Sequence, residues 1–275
     1  AVEYIREMAK SDKPFFLYVP FNAPHYPMHA PQEYMDRFDD LPWDRQVMAA
    51  MISAVDDAIA VIKNELERLG LTDNTLSVFT SDNGPSRESR NWLDGAQDPY
   101  YGGTSGGLKG HKFSLFDGGV KEPAIMHWPA RIPAGQVSDQ SVASMDIVPT
   151  VLEAIGADAS QYEIDGASML SHVANGSDVE DRPIFWEMDG QTAVRRGKWK
   201  LVLDGQLVED DEPIAPIHLS DVEKDPGETV NLADSEPEIT AELKELALNW
   251  RAGIDKRWED DYSSEDYEYV AHGMV

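Results

Sequence analysis

Val47-Met-Ala-Ala-Met-Ile-Ser-Ala-Val-Asp-Asp-Ala-Ile-Ala-Val-Ile-Lys-Asn-Glu-Leu-Glu-Arg-Leu-Gly70 runs into Leu71-Thr-Asp-Asn-Thr-Leu-Ser-Val-Phe-Thr-Ser-Asp-Asn-Gly84. In the first part Val47, Met51, Val55, Ile59, Ile62, Leu66 and Leu69 recur at three- and four-residue spacing, the period of an amphipathic helix. Gly70 stands where a helix C-cap would. Residues 75–81 then form a short apolar, β-rich run, the pattern of a strand buried on both faces. Upstream, Pro14-Phe-Phe-Leu-Tyr-Val-Pro20 has the same character. The order strand, long helix, strand predicts a parallel pair joined by a crossover helix, hence an α/β fold.

Working outward, residues 82–110 are rich in Gly, Ser, Asn and Asp, with Trp92, Tyr100 and Tyr101 embedded in them. A loop that long in a compact domain is more often functional than accidental. Residues 123–128 give another strand and 145–155 a short helix. From about Ile184 the pattern changes to short strands, with 192–195 and 199–203 flanking Arg196-Gly-Lys198 as an antiparallel hairpin. Residues 237–250 read as a closing helix, and the acidic, Tyr-rich stretch 259–275 lacks the pattern of a packed element. The expected organisation is an α/β domain over 1–183, a C-terminal antiparallel subdomain over 184–258, and the tail. The opening residues 1–10 read as a helix running straight into a strand, with neither signal peptide nor initiating Met, which suggests a cut through a domain.

Charge narrows the function classes. Among 275 residues, 51 Asp and Glu face 23 Lys and Arg, a formal net charge of −28 that repels nucleic-acid phosphates and anionic lipid. No stretch approaches the roughly 20 apolar residues of a membrane span. The absence of Cys excludes disulfides, thiolate metal sites and a Cys nucleophile within these residues.

Three places carry candidate chemistry. Asp82 and Asn83 follow a predicted strand at its C-terminal end, where open α/β sheets place their sites, and their hard oxygens suit Ca²⁺ or Mg²⁺. Asn83-Gly84 taken alone would simply make a turn. His25, in the loop after the first predicted strand, falls at the same sheet edge and is a candidate acid or anion ligand; His29 has less support. Lys109, His111 and Lys112 concentrate positive charge inside an acidic chain, which suggests anion binding, against the plainer alternative of a solvated basic loop. The acidic pairs Asp39-Asp40 and Asp56-Asp57 point different ways along a helix and read as solvated faces.

Five segments, in this order, resemble the formylglycine-dependent sulfatase family over residues 14–250. They are Phe15-Phe-Leu-Tyr-Val-Pro-Phe-Asn-Ala-Pro-His25, Phe79-Thr-Ser-Asp-Asn-Gly84, Lys112-Phe-Ser-Leu-Phe-Asp-Gly-Gly-Val-Lys-Glu-Pro-Ala124 with Trp128-Pro129, Ser144-Met-Asp-Ile-Val-Pro-Thr150 and Asp225-Pro-Gly-Glu-Thr-Val-Asn-Leu232. The resemblance implies an alkaline-phosphatase-like parallel sheet with helices on both faces, represented by its later strands and helices, plus a small C-terminal antiparallel subdomain. It implies Asp82 and Asn83 as Ca²⁺ ligands, Lys112 as a sulfate-binding residue, and His25 as a contact to the ester or a helper in protonating the leaving alcohol. The family's paired metal-binding Asp residues, its formylglycine motif and another Lys and His lie upstream of Ala1. Pro85-Ser-Arg87 is not that motif, because Asn83 stands where it needs Cys or Ser.

The implied substrate is a sulfated saccharide or another sulfate ester. His111, Trp92, Arg195 and Arg196 are candidates for lining the mouth of its pocket, and the family favours a periplasmic or secreted location. No oligomeric state follows from the sequence. Two rival readings are a metal-dependent phosphatase or phosphodiesterase of the same fold, and an inactive carbohydrate-binding remnant.

Overall fold

The computed structural model describes residues 1–87, 102–209 and 211–262, and the backbone divides into two compact units. The first holds residues 1–106 and 120–180; the second holds 107–119 and 181–275. The segment 107–119, expected in the α/β part, thus packs with the C-terminal subdomain.

The first unit is organised by its longest helix. Helix α1 (Val2–Met8) and α2 (Gln32–Met35) lie against α3 (Trp43–Arg68), which has 26 residues. Helix α3 ends as its sequence dictates. Gly70 N donates to Glu67 O and Leu71 N to Leu66 O, with Gly70 at φ 69°, the left-handed closure that glycine enters without a Cβ clash. Near that end, buried Glu65 receives the guanidinium groups of Arg68 and Arg6, which hold its carboxyl down at about 2.

Strand β1 (Ser77–Thr80) pairs antiparallel with β2 (Ala124–His127), Phe79 opposite Ile125. The expected parallel partner over 14–20 forms no strand, and among the described residues no parallel pair occurs. Nor is the run buried on both faces: Phe15, Leu17 and Val19 are half-buried, whereas Phe16 and Tyr18 are 68% and 75% exposed. Tyr4 meets Phe15 edge-on and its hydroxyl donates to Phe16 O. These contacts come from α1, so the run is extended but has no ladder.

After Asp117–Val120 (α4) and β2 come Ile147–Ala154 (α5) and Leu170–Asn175 (α6). Asp146 explains the Ser144–Thr150 motif as architecture. Its buried carboxylate accepts from Ala143 N and Ala167 N, both at 2.8 Å, while Thr150 Oγ1 accepts from Met169 N at 3.0 Å.

The second unit is a four-stranded antiparallel meander: β3 (Ile184–Met188), β4 (Gln191–Arg196), β5 (Trp199–Leu203) and β6 (Ile217–Asp221). Arg196 pairs with Trp199 across a two-residue turn, the expected hairpin. Alternation along these strands serves two covers. One face presents Val194, Leu201, Leu203 and Leu219 to Leu243 and Ala247 of α7 (Pro237–Tyr262), with Phe185 and Trp250 stacked at 5.1 Å. The other face presents Gln191, Lys200, Val202 and His218 to segment 107–119. Helix α7 extends twelve residues past the expected end at 250, into the stretch read as a tail.

Candidate functional site

In the first unit, β1 delivers Asp82 and Asn83 just beyond its last residue. Asp82 is exposed; Asn83 is half-buried and donates from Nδ2 to Gly84 O at 2.9 Å, which directs its amide oxygen elsewhere. Glu122 lies close to Asp82, because Thr80 Oγ1 ties the strand end to Pro123 O at 3.2 Å. Burial, and secondarily the negative charge of Asp82, push the Glu122 carboxyl up to about 7. Two carboxylates and an amide oxygen gathered at this strand end suit a hard divalent ion. They fall short of the six to eight oxygens that Ca²⁺ takes. Among the described residues no group of three or more His, Asp or Glu side chains surrounds one point. The chemistry of the donors therefore fits part of a shell.

His25 sits on a loop whose position is set by packing. Met28 is buried in a cluster with Val47 and Met51, which pins the loop against the first turns of α3. His25 N donates to Asn22 O at 2.9 Å, and the exposed ring places Nδ1 3.3 Å from Tyr26 O. His29 similarly rests Nδ1 against Pro27 O at 3.1 Å.

In the second unit, segment 107–119 folds into a knot whose geometry explains its Gly-Gly. Gly118 N donates to Lys109 O at 2.7 Å, and a Cβ on Gly118 would collide with the carbonyl oxygens of Lys109 and Gly110. One on Gly119 would collide with those of His111 and Ser114. At the apex, Ser114 N donates to His111 O at 2.9 Å, closing a β-turn with Lys112 and Phe113 as its central residues. Lys112 is half-buried, its ammonium 5.3 Å from the Phe113 ring centre.

The three basic residues of this knot have separate surroundings. Lys109 turns into the fold: Nζ donates to Glu228 O at 2.9 Å and lies 4.7 Å over the Phe116 ring, and burial lowers its pKa. His111 is half-buried, its backbone N–H bonded to Leu207 O at 3.1 Å. Lys112 alone of the three occupies the turn's tip.

Beneath the knot lies a charged cluster that sequence reading missed. Fully buried Lys200 reaches Asp117 Oδ1 at 2.6 Å and Glu228 Oε1 at 3.6 Å, and Asp117 N donates to Glu228 Oε2 at 2.6 Å. Burial raises the Glu228 carboxyl, with Lys200 opposing. Burial, and then the Lys109 and Lys200 ammonium groups, push the His218 imidazole down to about 4, while its Nε2 lies 3.1 Å from Glu228 O. The Asp225–Leu232 motif shapes this side of the cluster: Asp225 accepts from Thr229 N and Val230 N, and Asn231 Oδ1 from Leu219 N. The available signal was a Lys in an otherwise apolar strand, Trp199-Lys-Leu-Val-Leu203.

Arg195 and Arg196 are not brought to the knot. Arg196 lies on the α7 face, paired with Asp181 at 3.1 Å and Glu242 at 3.0 Å. Arg195 folds back to Gly197 O at the hairpin tip, 3.1 Å away. Trp92 lies outside the described residues.

A family model described as Sulfatase matches residues 1–157, and one described as N-sulphoglucosamine sulphohydrolase, C-terminal, matches 110–252. Arylsulfatase A of Homo sapiens is 30% identical, over 90% of this chain and 51% of its own length. N-acetylgalactosamine-6-sulfatase of Canis lupus familiaris is 34% identical, over 73% of the chain and 36% of its own length. The chain therefore spans about half or less of these relatives. The crystal structure of Ps i-CgsB superposes with a TM-score of 0.76 at 28% identity, covering 90% of this chain and 52% of that one. The PsFucS1 sulfatase from Pseudoalteromonas sp. gives 0.73 at 23% identity, covering 93% and 51%. The shared architecture is the alkaline-phosphatase-like α/β fold.

Proposed function

The chain belongs to the sulfatase family, and from that premise we propose that it forms the later part of an enzyme that hydrolyses a sulfate ester on a carbohydrate. The observation that supports this most is the family match over residues 1–157, which includes His25, Asp82, Asn83 and Lys112. The name of the N-acetylgalactosamine-6-sulfatase relative favours a sulfated sugar.

In this reading Asp82 and Asn83 supply oxygen ligands to a divalent cation, Ca²⁺ by family resemblance with Mg²⁺ as the alternative. Such an ion, when bound, withdraws charge from the sulfate oxygens. Lys112 contributes a second positive charge to those oxygens, which carry the sulfuryl group's negative charge through the transfer, while the electron pair of the breaking S–O bond passes to the departing alcohol oxygen. His25, exposed on its anchored loop, contacts the ester oxygen or donates a proton to the departing alcohol. The formylglycine nucleophile belongs to the part of the family's sequence upstream of these residues.

The test is sulfate release from a panel of sulfated monosaccharides by the full-length protein, with the matching phosphate esters alongside. Turnover of at least one sulfate ester, faster than of its phosphate counterpart and abolished by chelation, is the expected result. Preferential phosphate hydrolysis, or no turnover from a protein carrying an intact Cys- or Ser-x-Pro-Ser-Arg segment upstream, would overturn it.

A further inference from the structure

The turn that carries Lys112 is held in a conformation its own residues disfavour. Phe113, at the third position, has φ 73°. A positive φ there is the type II pattern, which glycine or asparagine enters readily and a bulky aromatic residue does not. Something outside the turn must hold it.

Gln191, at the start of β4, meets that requirement. It is 1% exposed. Its Nε2 donates to Phe113 O at 2.8 Å, and its Oε1 accepts from Gln206 N at 2.9 Å and, more weakly, from Leu115 N at 3.4 Å. These partners fix the amide's orientation, since Phe113 O can only accept and the two backbone N–H groups can only donate. One buried side chain thus grips the turn from both sides of Ser114, whose own hydroxyl donates to Gln206 O at 2.6 Å.

We propose that Gln191 is a positioning residue for Lys112: by donating to Phe113 O it holds the 111–114 turn in its type II form and so sets where the Lys112 ammonium stands. The proposal rests on the reading of Lys112 as a sulfate-binding residue. Without the donor, Phe113 relaxes to negative φ, the 112–113 peptide rotates, and the tip of the turn moves. Misplacement of a binding group by about 1 Å costs on the order of 10²-fold in rate.

The experiment uses the full-length protein and two readings: the Kd of inorganic sulfate by calorimetry, and kcat/KM on the sulfate ester turned over fastest. Gln191→Leu should weaken sulfate binding and lower kcat/KM by about 10- to 100-fold. Adding Phe113→Gly should restore most of both, because glycine holds positive φ without help; a residue that only stabilised the core would not be rescued from this position. An effect of less than two-fold for Gln191→Leu, or a loss that Phe113→Gly leaves untouched, overturns the proposal. If Gln191→Leu does not fold, Gln191→Glu with and without Phe113→Gly is judged by the same criterion, and failure of both to fold makes Gln191 a core residue only. Lys112→Ala separates the two levels. Unchanged sulfate affinity and turnover in that variant sink the reading of Lys112 itself, whereas a loss there with none in Gln191→Leu sinks only the positioning role.

Discussion

The two sheets of this chain are built from similar apolar runs and meet different surroundings. In the β1–β2 ladder, the paired Phe79 and Ile125 are 47% and 62% exposed. In the second unit every residue of β5 after Trp199 is buried, and its neighbour β4 is buried from Gln191 to Val194. The second sheet has helix α7 on one face and segment 107–119 on the other, both from this chain. Apolar runs state that a strand calls for cover on two sides; they do not say which segment provides it. Where cover comes on both faces, even a lysine and two carboxylates are carried inside.

That contrast predicts where the chain breaks. The largest effect should come from Lys200→Ala, which leaves Asp117 and Glu228 buried beside each other without their cation. Stripping one partner from a buried charge cluster costs about 3–5 kcal/mol. Urea unfolding followed by Trp fluorescence should show the loss, and a change below about 1 kcal/mol would mean that water reaches this face of the sheet.

A smaller effect follows from His218. Its imidazole ionises at about 4 in the folded chain against 6.5 ordinarily, so between those values the unfolded chain binds the extra proton. Stability is complete above pH 6.5 and falls as pH drops toward 4, by about 3 kcal/mol if the shift is full. His218→Gln should flatten that part of the pH–stability curve. An unchanged slope in this variant would place the acid sensitivity elsewhere.

The smallest effect belongs to the open ladder. Phe79→Thr and Ile125→Thr should each change stability by no more than about 0.5 kcal/mol, as at other exposed positions. Losses of several kcal/mol in thermal melts would show that this face is covered in the protein tested, and would erase the difference between the sheets.

Local patterns were legible in the sequence where one segment decided its own structure. Helix α3 with its Gly70 closure, the β4–β5 hairpin and the last helix each follow from periodicity and a turn residue. The run 14–20 is not the strand buried on both faces that its sequence suggests, because a short apolar, β-rich run records which side chains seek cover, while strand status needs a partner that no local pattern names. The order of site motifs was legible by resemblance, yet the grouping of 107–119 with the C-terminal sheet was not. It depends on hydrogen bonds such as Phe113–Gln191 and Asp117–Glu228, whose partners stand 78 and 111 residues apart. Gln191 and Glu228 gave no warning either. A Gln opening a strand and a Glu in a turn look like surface residues until their partners are known.

The 111 positions that separate Asp117 from Glu228 are also an interval of time. At about 5–20 residues per second, a ribosome takes roughly 6–22 s to pass from one to the other. Through that interval segment 107–119 exists as chain but has neither its clamp at Gln191, for the first part of the wait, nor the Glu228 carboxylate that accepts from Asp117 N, at any point in it. Helix α3 and its helical neighbours α1 and α2 are all made before residue 69. The part of the chain that shapes its candidate anion site thus waits longer for synthesis than the helices of the first unit do.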